Sequence, residues 1–319
     1  MDIIFIIASI VGLALRGGTS LLYATLGEII TERSGVLNLG LEGMLLSSAM
    51  ISFAVSYNSG NIFLAVLIGG LMGSLLALLF SLLTIIFQAN QVVSGLSIFI
   101  FGSGLASFLG QRLGPEGSTL VGLVGPRLPK IPIPFLSTIP AFGEELFNQD
   151  VLVYGLFLLP PLVAFLLYRT RLGLNLRAVG ENPKTADVLG LKVQKIRIIS
   201  TVVGGFLVGL GGAHMSLSYA PGWTENLTGG RGWIVIAMVI FSAWDPLRAV
   251  FGAMLFGGIS ALQFRFQALG TSIPPAYLRM IPYIFTLIVL ILINSPIFSK
   301  DRLGIPTSLG QNYRRESSK

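Results

Sequence analysis

Nine stretches of this chain are runs of mostly apolar side chains: roughly 3–27, 36–57, 62–87, 92–110, 151–168, 198–219, 233–244, 249–264 and 280–294. A helix needs about 20 such residues to cross a bilayer's hydrocarbon core. Hydrocarbon offers no partner to a backbone N–H or C=O, so the crossing segment must bond within itself. The pattern predicts an all-α polytopic integral membrane protein with about nine transmembrane helices. Eight to ten fit, because two runs are irregular. Arg16-Gly17-Gly18 interrupt the first, which reads as a short helix plus an interfacial one. The run 233–244 covers only about 18 Å at 1.5 Å per residue. It either begins earlier, within Thr228–Gly232, or does not fully cross. Composition agrees: 53% of the 319 residues are hydrophobic and 11% charged, less than half the ~25% charge typical of a soluble domain.

Several classes of function are excluded at this level. Cysteine is absent and His214 is the single histidine, so neither a thiolate nucleophile nor a Cys/His metal site is available. There is no G-x-x-x-x-G-K-[ST] loop, H-E-x-x-H or G-x-S-x-G. The chain is therefore not read as an enzyme, and it binds no ATP of its own. The net charge of +7 reads as basic loops at a membrane surface facing lipid headgroups, not as a nucleic-acid face. No basic n-region precedes the first apolar run, so that run is not a secretory signal.

Charge orients the spans. With residues 169–197 placed inside, alternation puts Arg33, Arg248 and the C-terminal tail inside as well. Fourteen of the 21 Lys and Arg then lie inside, six lie outside, and Arg16 lies within the first span. The positive-inside rule thus predicts the N-terminus out and the C-terminus in. Residues 1–294 form a single transmembrane domain, followed by a polar tail, 295–319, which reads as disordered. Residues 111–150 carry six prolines and form an extended outer loop with a short helix near Glu144–Gln149. In the inner loop 169–197, Asn182-Pro183 reads as a helix start and Gly190 as its stop, so a short helix lies at the surface there. Asp245-Pro246-Leu247-Arg248 reads as a tight turn.

A few residues within the spans are polar. Glu42 is costly in hydrocarbon and must face protein or a water-filled cavity. Asn38 precedes it by four residues, which on a helix puts both on one face. Gln91 and Ser94, three apart, share a face at the start of the fourth run. Each pair reads either as a polar wall of a solute pathway or as structural hydrogen bonding and capping. His214 in an apolar run reads as hydrogen-bonded to a neighbour. Trp223, Trp233 and Trp244 fit interfacial anchoring, and Trp233 is also placed to stack on a flat solute. Gly205, Gly209 and Gly212 form a small-residue face that favours close helix packing.

Two segments resemble a known family. Glu32-Arg33-Ser34-Gly35-Val36-Leu37-Asn38-Leu39-Gly40-Leu41-Glu42-Gly43-Met44 and Ala178-Val179-Gly180-Glu181-Asn182-Pro183-Lys184-Thr185-Ala186-Asp187-Val188-Leu189-Gly190 resemble permeases of ABC importers in the branched-chain amino acid and simple-sugar group. The first looks most like the nucleoside permeases that work with basic-membrane-protein-type lipoprotein receptors. The resemblance runs over roughly residues 20–295. It implies a bacterial inner-membrane importer subunit. Its partners would be an ATPase that binds ATP and Mg, a second, different permease chain, and an extracytoplasmic receptor lipoprotein. By position, Glu181, Asn182, Pro183, Lys184, Thr185, Ala186, Asp187, Leu189 and Gly190 match the segment that couples to the ATPase. Nucleosides are the implied solute, with simple sugars the alternative. A stand-alone secondary transporter or channel is the rival class.

Overall fold

A computed structural model describes residues 3–140, 142–268, 274–293 and 304–314. Each of the nine apolar runs overlaps a helix. In chain order the helices are α1 (Ile3–Arg33), α2 (Leu41–Ser59), α3 (Ile62–Ser81), α4 (Gln91–Gly110), α5 (Phe142–Phe147), α6 (Val151–Arg169), α7 (Arg171–Glu181), α8 (Pro183–Val188), α9 (Val193–His214), α10 (Arg231–Phe241), α11 (Pro246–Ala268) and α12 (Pro275–Ile293). π-Helical turns at Leu82–Ile86 and Met215–Tyr219 extend α3 and α9. Among the described residues, five helices, α1, α4 and α6 and, with their π-turns, α3 and α9, are long and apolar enough to cross a membrane.

The first run is a single helix, against the expected break at Arg16-Gly17-Gly18. Arg16 is held by an ion pair with Glu145, Nη2 to Oε2 2.7 Å, so its charge is compensated within the protein. The two glycines serve packing. A Cβ on Gly18 would lie 2.4 Å from the Ala253 carbonyl oxygen of α11, closer than real Cβ atoms come. The absence of side chains lets α1 and α11 touch backbone to backbone. α1 thereby becomes a central post, packed against α6, α9, α10 and α11.

A second layer forms where α2, α3 and α9 meet. A Cβ on Gly205 would sit 2.6 Å from Gly73 O, one on Gly209 2.4 Å from Gly69 O, and one on Gly212 2.4 Å from Leu45 O. The small-residue face of α9 therefore packs within this chain, on α3 and α2. α2 is buried almost all round, Ser47, Ser48, Ser52 and Ser56 included. The outward faces of α3, α4, α6 and α12 carry exposed Leu, Ile, Val and Phe, as helices facing lipid do.

The two ends of the bundle differ. At one end, the proline-rich segment 111–150 holds α5, which starts two residues before the helix expected at Glu144–Gln149 and gives way to a strand at Asn148, and a short antiparallel pair. Its strands are β1 (Lys130–Pro132) and β2 (Asn148–Asp150), with Lys130 opposite Asp150. At the other end lie the finish of α1, the start of α4, the helices α7 and α8, and residues 304–314. The tail departs from the disorder expected of it: residues 304–314 pack against four other segments, described below. Lys300, Arg302, Arg315 and Lys319 of that tail, the loop 269–273, and the side chains of Arg265 and Arg279 lie outside the described residues.

Candidate functional site

α10 is a half-helix of 11 residues beginning inside the bundle. The short run thus starts at Arg231 and does not cross alone. Its start is set by Gly229 and Gly230, both at positive φ (55° and 85°), a region glycine enters without steric cost. Arg231 packs on Gly17 of α1, its Nη1 donating to Gly17 O at 2.9 Å and Ser20 Oγ at 3.2 Å. Gly17 precedes the end of α1 by roughly 24 Å of helix, so α10 begins well within the bundle.

A helix that starts away from water leaves N–H groups that need acceptors. Glu42 supplies them. Its Oε1 accepts from Thr228 Oγ1 at 2.6 Å and Gly230 N at 2.7 Å, and its Oε2 from Gly232 N at 2.6 Å. The side chain is buried. A carboxylate on the N-terminus of a helix also meets the positive end of the helix dipole. Glu42 is therefore bonded to a neighbouring half-helix. Close approach is allowed by Gly232, whose Cβ would fall 2.4 Å from Glu42 N.

The other sequence candidates separate. Asn38 does not share a helical face with Glu42, because residues 36–40 are non-helical. Its Oδ1 accepts from Gly40 N at 2.9 Å, its Nδ2 points at Met44 Sδ, and its own N–H donates to Glu28 Oε1 at 3.1 Å. Gln91 and Ser94 both lie on the buried face of α4. Gln91 bridges two segments, accepting from Leu37 N at 2.8 Å and donating to Asn312 Oδ1 at 3.1 Å. Trp233 is 37% exposed and stands edge-on to Phe99, centroids 5.5 Å apart. Trp223 and Trp244 are buried in protein, which corrects the interfacial-anchor expectation for both. His214 is fully buried beside Asp150, Nε2 to Oδ2 3.9 Å, with no hydrogen bond on either ring nitrogen among the described residues. The expected bond to a neighbour is missing.

Sequence reasoning missed a buried acidic pair, Glu28 and Glu32, one turn apart on α1. Glu32 Oε2 accepts from Trp244 Nε1 at 2.5 Å, while the Trp244 carbonyl accepts from Arg33 Nε and Nη2 at 3.2 and 3.1 Å. These bonds hold the turn after α10, where Ala243 and Trp244 both adopt positive φ. Non-glycine residues rarely do so, and such strain persists only where surroundings impose it.

At the other candidate region, Asn182 caps α8 by accepting from Thr185 N at 3.0 Å, Pro183 is its first residue, and Gly190 at φ 86° ends the turn. The start and stop read from the sequence are those observed. Ala186 is buried, whereas Val188 and Leu189 are 87% and 76% exposed. α7, amphipathic and unexpected, leads into α8. Residues 304–314 strap this region to the rest. Glu181 Oε2 accepts from Thr307 Oγ1 at 2.7 Å, and Ser308 Oγ donates to Gly180 O at 2.6 Å. Arg33 Nη1 donates to Gly304 O at 2.8 Å, and Asn312 Nδ2 donates to Gln88 O and Ala89 O at 2.7 and 3.0 Å. Arg197 of α9, 2% exposed, donates to Ser34 O, Gln311 O and Ser308 Oγ. The strap thus ties together α8's neighbour α7, the end of α1, the start of α4 and the start of α9.

Comparison with known proteins places the chain among transport permeases. Over 97% of its length the chain is 37% identical to the Haloferax volcanii permease protein TsgC13, assigned by its name to a glucose ABC transporter, and covers 98% of it. It is 32% identical to the nucleoside ABC transporter permease protein NupC of Lactococcus lactis, over 92% of this chain and 94% of that one. It is also 32% identical to the guanosine ABC transporter permease protein NupQ of Bacillus subtilis, over 91% and 93%. The family model described as "Branched-chain amino acid transport system / permease component" matches residues 9–291. With a match over that much of its length, this chain belongs to that permease family.

Proposed function

We propose that this permease imports nucleosides across the bacterial cytoplasmic membrane, driven by ATP and Mg bound on a partner ATPase. A second permease chain and an extracytoplasmic receptor lipoprotein complete the assembly. The N-terminus lies outside, the C-terminus inside, and nine segments cross, one of them made up by α10 and the segment leading into it. The nucleoside permeases NupC and NupQ support the solute.

One observation carries the coupling role. α8 presents Val188 and Leu189 to solvent from a helix fixed at both ends, beside a groove of roughly 440 Å³ lined by Asp187, Lys192 and Tyr313. An apolar tip on a rigid mount fits a docking site in a partner. Glu181, Asn182, Pro183, Lys184, Thr185, Ala186, Asp187, Leu189 and Gly190 form this element. The ATPase pushes on α8, and the strap passes the displacement to α1, α4 and α9, biasing the pathway between two packed states. Asn38, Glu42, Gln91, Ser94 and Trp233 are the candidates for lining the pathway; among them Glu42 also holds the start of α10 and Gln91 ties the start of α4 to Leu37 and Asn312.

The test is co-expression with the neighbouring ATPase and second permease, followed by ATP-dependent nucleoside uptake in vesicles. Asp187→Arg should abolish uptake and weaken association. Uptake by this chain alone, without an ATPase, would refute the reading and make it a secondary carrier or channel. TsgC13 favours a second reading, sugar import. Glucose uptake without nucleoside uptake would establish it.

A further inference from the structure

We propose that the cavity at the start of α10 is where the solute's planar ring is recognised, on a platform made by Tyr219 and Arg231. This rests on the nucleoside reading above and goes beyond it by naming the site and the moiety bound. The cavity measures about 460 Å³ and is lined by Tyr219, Asn226, Thr228, Arg231, Ser260 and Tyr283, among others. That is within the range of small-molecule sites.

Three features set the ligand class. First, the Arg231 guanidinium carbon lies 4.4 Å from the centre of the Tyr219 ring. Its Nη1 is pinned to Gly17 O and Ser20 Oγ, so the guanidinium is fixed against the Tyr219 ring before any ligand arrives. A nucleobase stacks on aromatic and guanidinium planes whatever its identity. Second, the site suits a neutral ligand. The N–H groups of Gly230 and Gly232 are occupied by Glu42, and that carboxylate, bonded also to Thr228 of the cavity wall, offsets the Arg231 charge. A phosphate would meet a filled helix N-terminus and a buried anion, so a nucleoside fits and a nucleotide does not. Third, the remaining wall mixes hydroxyl and amide groups with apolar side chains and a second carboxylate, Glu225, which accepts from Gln111 Nε2 at 2.9 Å and adds to the wall's unsuitability for an anion. Asn226 and Thr228 come from the α9–α10 connection and Ser260 from α11; the Thr228 and Ser260 hydroxyls donate to Glu42 Oε1 and Phe256 O, so they are in place to accept from ring N–H groups and ribose hydroxyls. Tyr283 of α12 closes one side, its hydroxyl donating to Gly229 O. The cavity therefore touches the half-helix and three of its neighbours, so a change of packing at α10 alters it directly.

The experiment uses the assembled transporter, with its ATPase, second permease and receptor, in proteoliposomes. Two quantities are read: initial uptake of radiolabelled adenosine at saturating receptor, and photolabelling by 8-azidoadenosine with the labelled residue mapped by mass spectrometry. Label should map to Tyr219, Asn226 or Tyr283, and be suppressed by excess adenosine but not by ribose. Tyr219→Ala should lower uptake about tenfold, the lower-to-middle range for loss of one stacked base, and Tyr219→Trp should restore it. Ser260→Phe, which fills the cavity, should abolish uptake and labelling. Co-purification of the ATPase checks that each variant assembles, and rescue by Trp excludes a folding defect at Tyr219. Adenosine uptake at the wild-type rate in both Tyr219→Ala and Ser260→Phe would overturn the site while leaving the nucleoside function standing, as would label confined elsewhere. A wild-type transporter that imports glucose and no nucleoside would overturn the function, and this inference with it.

Discussion

Removing the Glu42 carboxylate tests whether the half-helix depends on it. Glu42 accepts three hydrogen bonds, from Thr228 Oγ1, Gly230 N and Gly232 N. In Glu42→Ala all three donors lose their acceptor away from water. A buried unsatisfied donor costs about 1–3 kcal/mol, which gives about 3–6 kcal/mol if neighbours relax. Hydrogen bonds between membrane helices often measure nearer 0.6 kcal/mol, because the unfolded reference finds other partners. That sets a floor of about 2 kcal/mol. Glu42→Gln separates charge from shape. With its amide oxygen at the Oε1 position it keeps the bonds from Thr228 and Gly230, but its NH₂ then faces the Gly232 N–H, donor against donor. The expected loss is one bond plus one orphan donor, about 1.5–3 kcal/mol. The assay is denaturant unfolding of the purified protein in detergent, followed by tryptophan fluorescence. The order should be wild type, then Gln, then Ala. Glu42→Ala within about 0.5 kcal/mol of wild type, a typical surface-mutation effect, would refute this account of the α10 start, and so would Gln proving as costly as Ala.

Gly209→Ala should push α9 from α3, since its Cβ would meet Gly69 O at 2.4 Å. A loss of about 1–3 kcal/mol is expected from overpacking, measured by the same unfolding assay. Gly104→Ala is the contrasting case: nothing lies within 4 Å of its Cβ, so it should be neutral or stabilising by up to about 1 kcal/mol. Ending the chain after residue 303 removes two of the three acceptors of Arg197. It should lower stability in the same direction as Arg197→Ala, and the two changes together should be less than additive. Additive losses would mean that the strap and Arg197 act separately. Thr307→Val removes the hydroxyl that Glu181 accepts and should slow ATP-driven uptake more than it weakens ATPase association. Equal losses in both would place Thr307 in docking, not in transmission.

Legibility varied with the kind of interaction. The α8 start and stop were readable because Asn-Pro and Gly act locally, through a cap, a fixed φ and a left-handed turn. The cost of Glu42 in hydrocarbon was readable too, but not its partners, which come from residues 186–190 positions away. Asn38 was misread because four-residue spacing assigns a shared face only inside a helix, and here the chain climbs through residues 36–40 without one. Glu28 and Glu32 were missed because acidic residues after an apolar run look like a solvated helix end. The folded protein instead returns residues 36–40 and 244 over them. Arg197 read as one of many basic loop residues, and only the strap shows why it is buried.

By itself the sequence determined that this chain is a helical membrane protein, roughly where its long apolar helices lie, and the cap and stop of the short helix α8 in its basic loop. Those properties follow from runs of apolar side chains and from residues that act on their neighbours in the chain. Tertiary structure alone decided that α1 is continuous, that α10 starts inside the bundle under a carboxylate, and that the tail is a strap. Each depends on a charge or an orphan backbone group finding its partner from a distant segment. In a low-dielectric interior that pairing, and not local propensity, determines whether a break, a buried acid or a polar tail is tolerated.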